Sequence, residues 1–197
     1  MFDKDDYLAS IEHAKSTEKS EIKAFKLDDA DGIAERIGFK ANMISRADYF
    51  VEQGLHVRFI ELSDLRNSFK TCSAEIDEAF EEINQDPSIS EKWKREQKKT
   101  IKDNAWKSLC DEFFKKWSGS IAVIERLYRK TNQSVEDDPQ YSLLIVCKNA
   151  TDVKILDELN TELVERLNGQ CGMVKKVQVC KTDNLGEFLL PFSYVLK

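Results

Sequence analysis

Apolar residues recur along this chain with two different periods, and the switch between them divides the sequence. Leu65, Phe69, Cys72, Ile76, Phe80 and Ile83 follow one another at three- and four-residue intervals, the stripe that an amphipathic helix turns toward a core. Gln85-Asp86-Pro87 should end that helix, because proline lacks the amide hydrogen and clashes with the preceding turn. A second helical stretch begins near Ser90 and runs through Trp93, Gln97, Ile101, Ala105, Leu109, Phe113 and Trp117. The Ser118-Gly119-Ser120 triplet is expected to break it, leaving Ile121, Ile124, Leu127 and Tyr128 on a third helix.

Before Leu65 the better-defined period is two. ADYFVE (47–52) and HVRFIEL (56–62) are rich in β-branched and aromatic residues and flank a Gln53-Gly54 turn signal, which predicts a hairpin. IAERIGFKANMI (33–44) supplies a third strand upstream, making an antiparallel meander. Tyr7, Leu8, Ile11 and Ala14 sit at helical spacings, so the first twenty residues read as a helix. Near the other end, YSLLIVC (141–147) is a continuous apolar run of the kind a doubly buried strand shows. Thr151 or Asp152 caps a helix carrying Leu156, Leu159, Leu163 and Leu167, and Asn168-Gly169 closes it with a residue that tolerates the left-handed conformation. MVKKVQVC (173–180) follows as a strand, and strand–helix–strand at this length is a right-handed parallel crossover. The acidic, proline-containing VEDDPQ (135–140) is the expected boundary inside the chain.

The expected fold is therefore α/β. A central mixed sheet, an antiparallel meander joined to a parallel βαβ end, is flanked by helices. One domain spans 1–197, with a helical insertion at about 69–133. A length of 197 residues, 41% hydrophobic and 34% charged, suits one globular domain with a real core rather than a disordered chain. No apolar run approaches the roughly 20 residues of a membrane helix, and MFDKDDYLAS is acidic where a signal peptide is basic. A cytoplasmic protein away from membranes is expected.

Five cysteines form no CxxC pair, and Cys72, Cys110 and Cys147 fall on apolar positions, where cysteine acts as a small hydrophobe. Only His13 and His56 are present, so a histidine-rich metal site or a Cys/His nucleophile pair would have to recruit one of them.

The net charge of −6 argues against a protein coated in positive charge for DNA binding, but the charge is uneven. Residues 91–107 hold seven lysines and arginines. Among these, Arg95, Lys98, Lys99 and Lys102 share a helical face that suits tracking a phosphate backbone, and they are the candidate DNA-binding residues. The same run also reads as the solvated side of an amphipathic helix. Trp93, Trp106 and Trp117, on the same stretch, read as core or partner-facing groups.

The candidate chemistry lies on the hairpin. Asp48 belongs to one strand and Glu61 to the next, and they share a face if the turn sets the register suitably. A Gln53-Gly54 turn pairs Asp48 with Phe59, leaving Glu61 two residues along; a Gly54-Leu55 turn pairs Asp48 with Glu61 directly.

With helix, meander, helix, strand in this order, Asp48 in ADYFV and Glu61 in FIELS, the chain resembles the PD-(D/E)XK nuclease-like superfamily. The resemblance implies that Asp48 and Glu61 together hold Mg²⁺, an oxygen-seeking cation that activates water and offsets charge on a phosphate. It also implies a lysine two residues after the glutamate, where this chain has Ser63. Lys40, on the expected first strand, is the candidate displaced catalytic lysine; Lys70 and Lys148 are weaker ones. The function implied is a Mg-dependent deoxyribonuclease, or a catalytically degenerate relative, acting on or beside DNA. A second reading is a non-enzymatic adaptor that binds a protein partner, or another copy of itself, within a DNA-processing or phage-defence assembly.

Overall fold

The structure, a computed structural model, describes residues 2–13, 16–40, 43–132, 138–168 and 174–190. Strands β1 (Leu8–Glu12) and β2 (Lys19–Lys26) come first, followed by a one-turn helix α1 (Ile33–Arg36). The hairpin of β3 (Tyr49–Gln53) and β4 (His56–Ser63) leads into helices α2 (Leu65–Gln85) and α3 (Glu91–Lys130). Strand β5 (Gln140–Cys147), helix α4 (Val153–Leu167), strand β6 (Val174–Lys181) and the short helix α5 (Leu185–Leu189) complete the described chain.

The six strands form one sheet in chain order. β1 to β4 are antiparallel, while β4, β5 and β6 are mutually parallel. A mixed α/β sheet is thus present, with the meander at one end and the parallel strands at the other. Strand alternation splits the core across its two faces. Phe25, Phe50, Phe59, Leu143 and Ile145 pack beneath α2, α3 and α4, whereas Tyr49, Val51, Ile60, Leu144 and Val146 pack against Leu185 and Leu189 of α5. β5 is buried on both faces, as its unbroken apolar run requires.

Several elements differ from the sequence expectation. Tyr7, Leu8 and Ile11 do not lie on an N-terminal helix: Leu8–Glu12 pairs with β2 as an edge strand, and Ala14 lies outside the described residues. The upstream strand of the meander is Lys19–Lys26, not 33–44. Within 33–44 the structure forms α1 instead, entered through Gly32, where an added Cβ would meet the Asp28 carbonyl oxygen at 2.0 Å; Ala41 and Asn42 lie outside the described residues.

The helical crossover also departs from expectation. Ser118-Gly119-Ser120 does not break the helix, because the Gly119 position packs closely on the Ser45 backbone and Ser120 Oγ accepts from Ala47 N at 2.8 Å. Consequently α3 is a single helix of 40 residues, about 60 Å long. Asp152 rather than Thr151 caps α4, accepting from Lys154 N at 2.8 Å. At the other end Asn168 is extended, and its side chain accepts from Val177 N at 3.1 Å; Gly169 lies outside the described residues, as do Cys171 and much of the acidic loop, 135–137. Among the described residues no helix is long and apolar enough to cross a membrane.

Candidate active site

The hairpin turn decides whether the two carboxylates can meet. Gln53 pairs with His56, so Gly54 and Leu55 form the two-residue turn. Of these two turn residues only Gly54 takes a positive φ, +56°, the pattern of a type II′ turn. Tyr49 then pairs with Ile60, and one step further Asp48 stands opposite Glu61, both directed to the sheet face that carries α3.

Asp48 is fixed from four directions. Its carbonyl oxygen accepts from Leu27 N at 2.8 Å and Asp28 N at 3.2 Å, at the end of β2. Its Oδ2 accepts from Leu62 N at 2.7 Å. The preceding amide, Ala47 N, donates to Ser120 Oγ on α3 at 2.8 Å. Gly119 lets this approach happen, since a Cβ there would lie 1.8 Å from the Ser45 carbonyl oxygen. Nearby, the buried Arg46 guanidinium pairs with Asp28 at 2.7 Å.

Glu61 is 2% exposed. Its Oε1 accepts from Lys116 Nζ, which descends from α3, while Oε2 is buried with no hydrogen-bond partner. Burial, followed by the charge of Asp48, pushes the Glu61 carboxyl up to about 8. Burial also raises Asp48, against the pull of the Leu62 amide and Lys116. Lys116 has its charge opposed by burial, but Glu61, Asp48 and Glu112 outweigh this and hold it above the ordinary lysine range. The result is two interacting carboxyl groups and one ammonium beneath a helix.

Lys116 was not legible as the third member. Lys40, expected on a strand, is an exposed residue in the coil after α1. Ser63 ends β4, and the ammonium comes instead from a helix 55 positions beyond Glu61. The available signal was weak: Lys116 lies three residues after Phe113 and four before Ser120, inside the stripe that α3 buries. Lys70 and Lys148 flank a separate cleft with Asp64.

Beside Asp48 opens a cleft of about 290 Å³, lined by Glu12, His13, Lys26, Asp29, Tyr49 and Leu62 among others. Lys26 is anchored there by Asp31 at 2.8 Å and Asp29 at 3.1 Å. His13 is buried, and its Nε2 lies 3.0 Å from Thr182 Oγ1; burial lowers its pKa, the Lys148 charge adds to this, and Glu18 and Asp64 oppose it.

The donors fit a divalent cation in part. The unpartnered Glu61 Oε2 is an acceptor that a cation or a proton would satisfy. Against this, Asp48 Oδ2 and Glu61 Oε1 already accept hydrogen bonds, and among the described residues no group of three or more His, Cys, Asp or Glu is arranged to hold a metal.

The candidate DNA-binding residues divide. Lys98 turns toward α2, donating to Asn84 Oδ1 at 2.6 Å and lying over the Phe80 ring. Lys102 pairs with Glu162 of α4 at 2.5 Å. Arg95 and Lys99 remain exposed. Trp106 and Trp117 are core residues, whereas Trp93 is 58% exposed. Compared with protein-family models, curated proteins and solved structures, the chain gives no significant match.

Proposed function

We propose that the protein is a nuclease-like phosphodiester hydrolase of the PD-(D/E)XK kind, with Asp48, Glu61 and Lys116 as its catalytic residues. The observation that carries this reading is the meeting of Lys116 with Glu61 on the sheet face that Asp48 shares. Such a reading does not need Ser63 to be a lysine: the charge arrives through space rather than along the strand.

Hydrolysis forms a bond from a water oxygen to phosphorus and breaks one from phosphorus to a sugar oxygen, which leaves with a proton. Asp48, clamped through its own carbonyl, its side chain and the neighbouring amide, offers a carboxylate oxygen in a fixed place. Glu61 contributes a second, with Oε2 unspent. The Lys116 ammonium, held beside Glu61, would stabilise the negative charge that builds on the phosphoryl oxygens. Mg²⁺, when held by the two carboxylates, would acidify a bound water and neutralise phosphate charge.

Incubating the purified protein with single- and double-stranded DNA and RNA, in Mg²⁺ or Mn²⁺, tests this directly. Cleavage by the wild type that falls at least a hundredfold in Lys116→Met, Asp48→Asn and Glu61→Gln is expected, on the scale of removing one electrostatic or acid–base group. Absence of cleavage in the wild type, or full activity in Lys116→Met, overturns it.

A second reading, an adaptor for a protein partner, has its own observation. Between Glu91 and Ala105 no side chain of α3 is buried, and Trp93 is exposed there. If this end holds a partner, Trp93→Ala abolishes complex formation while leaving any cleavage intact; unchanged binding removes the adaptor reading.

A further inference from the structure

At the carboxyl ends of the parallel strands lies a second cleft, of about 430 Å³, whose charge is opposite to that of the Asp48 cleft. It is lined by Asp64, Arg66, Lys70, Lys148 and Thr151. Ser63 and Cys147 are partners in the ladder between β4 and β5, so the next residues, Asp64 and Lys148, emerge side by side and pair at 3.0 Å. Arg66 and Lys70 are four residues apart on α2, hence on one face of it, and both are exposed. Three cations therefore face one carboxylate in a chain whose net charge is −6. Crevices outside the carboxyl ends of parallel strands are where open α/β sheets bind ligands.

The two clefts are neighbours. Leu62 lines the first and Asp64 the second, a separation of two residues, about 7 Å along a strand. A hydrogen-bond path also joins them: Asn149 N, next to Lys148, donates to Glu18 Oε2, Thr182 Oγ1 donates to the same oxygen, and His13 of the first cleft bonds Thr182.

We propose that the Arg66–Lys70–Lys148 cleft binds the sugar-phosphate backbone of a nucleic-acid strand, seating phosphates that flank the bond presented to Asp48 and Glu61. This inference rests on the nuclease-like reading for its substrate. It replaces the face of Arg95 and Lys99 as the principal phosphate contact, since that face lies on the stretch of α3 that buries no side chain, whereas this cleft neighbours the one that Asp48 lines.

Binding of fluorescent single- and double-stranded oligonucleotides is measured by anisotropy in EDTA, across a salt series, for three proteins: wild type, Arg66→Glu/Lys70→Glu and Arg95→Glu/Lys99→Glu. The cleft variant is expected to bind roughly tenfold or more weaker, with a salt slope shallower by about 1.5 to 2, while the α3 variant stays near wild type. Arg66→Gln/Lys70→Gln, which removes charge without adding any, should show the same direction at smaller size if the reversal impairs folding. No binding by the wild type at low salt, loss of binding in the α3 variant alone, or displacement of the strand by inorganic phosphate at equal phosphate concentration would each overturn the assignment. A wild type that binds through the cleft but cuts nothing in Mg²⁺ or Mn²⁺ keeps the cleft and removes the catalytic reading. One that cuts, with binding and cutting unchanged in both cleft variants, does the reverse.

Discussion

Ser120 Oγ accepts from Ala47 N at 2.8 Å, so the C-terminal half of α3 fixes the residue that introduces Asp48. The neighbouring Gly119 makes this contact sterically possible. Alanine in place of an interior helical glycine normally gains about 0.5–1 kcal/mol. Here the added Cβ would sit 1.8 Å from the Ser45 carbonyl oxygen, a backbone atom, and overpacking of that kind costs about 1–3 kcal/mol. Gly119→Ala should therefore lower stability in urea denaturation, with displaced Asp48 geometry lowering any cleavage. A gain in stability would show that α3 does not seat this segment.

Lys116 and Glu61 should be coupled. Removing one partner of a buried pair leaves the other uncompensated, costing about 3–5 kcal/mol; Lys116→Met should fall at the low end, because burial and Asp48 push the Glu61 carboxyl up to about 8 and so already favour its neutral form. Replacing both, as Glu61→Leu/Lys116→Met, should recover most of that loss. A double-mutant cycle that gives additive effects would mean the two side chains do not interact in solution.

Glu61 and His13 should give opposite pH dependences. Burial and Asp48 raise Glu61 from 4.5 to about 8, so in that window the folded protein keeps a proton that the unfolded chain has lost. Its contribution to stability declines as pH rises through the window, and Glu61→Gln should flatten the decline. His13 is lowered from 6.5, chiefly by burial. Below that value the unfolded chain takes a proton that the fold resists, so stability falls with acidity, and His13→Gln should remove this component. Urea denaturation between about pH 5 and pH 9 measures both; variants parallel to wild type throughout would contradict the assignment.

Gly54 tests the register. Its φ of +56° is disfavoured for residues with a Cβ, yet nothing lies within 4 Å of the position. Gly54→Ala should thus cost about 1–2 kcal/mol from backbone conformation alone, and Gly54→Asn less. Equal stability for all three proteins would argue against the Gly54-Leu55 turn.

Much of the fold was legible because it depends on neighbours in sequence. The stripe from Leu65 to Ile83 named α2, the doubly buried run named β5, and Leu156 to Leu167 named the crossover helix. Short elements were not legible. Leu8–Glu12 is too brief for its period to be distinguished from a helical one, and the alternation of Lys19–Lys26 was hidden among four charged residues on a partly exposed strand.

Asp48 and Glu61 could be nominated from sequence, and the two-residue turns considered both placed them on one face. Choosing Gly54-Leu55 took the tertiary pairing of Gln53 with His56. The lysine could not be chosen at all, because the approach of Lys116 to Glu61 depends on where a 40-residue helix crosses the sheet. The Gly119 position illustrates the same limit. Locally, Ser-Gly-Ser favours a break, since glycine weakens a helix by about 1 kcal/mol and serine competes for backbone hydrogen bonds. Contact with the Ser45–Ala47 segment outweighs that preference, and such contact exists only after residues more than seventy positions apart have been brought together. Periodicity thus determined which segments are helices and strands; packing across the sheet determined which charged groups meet.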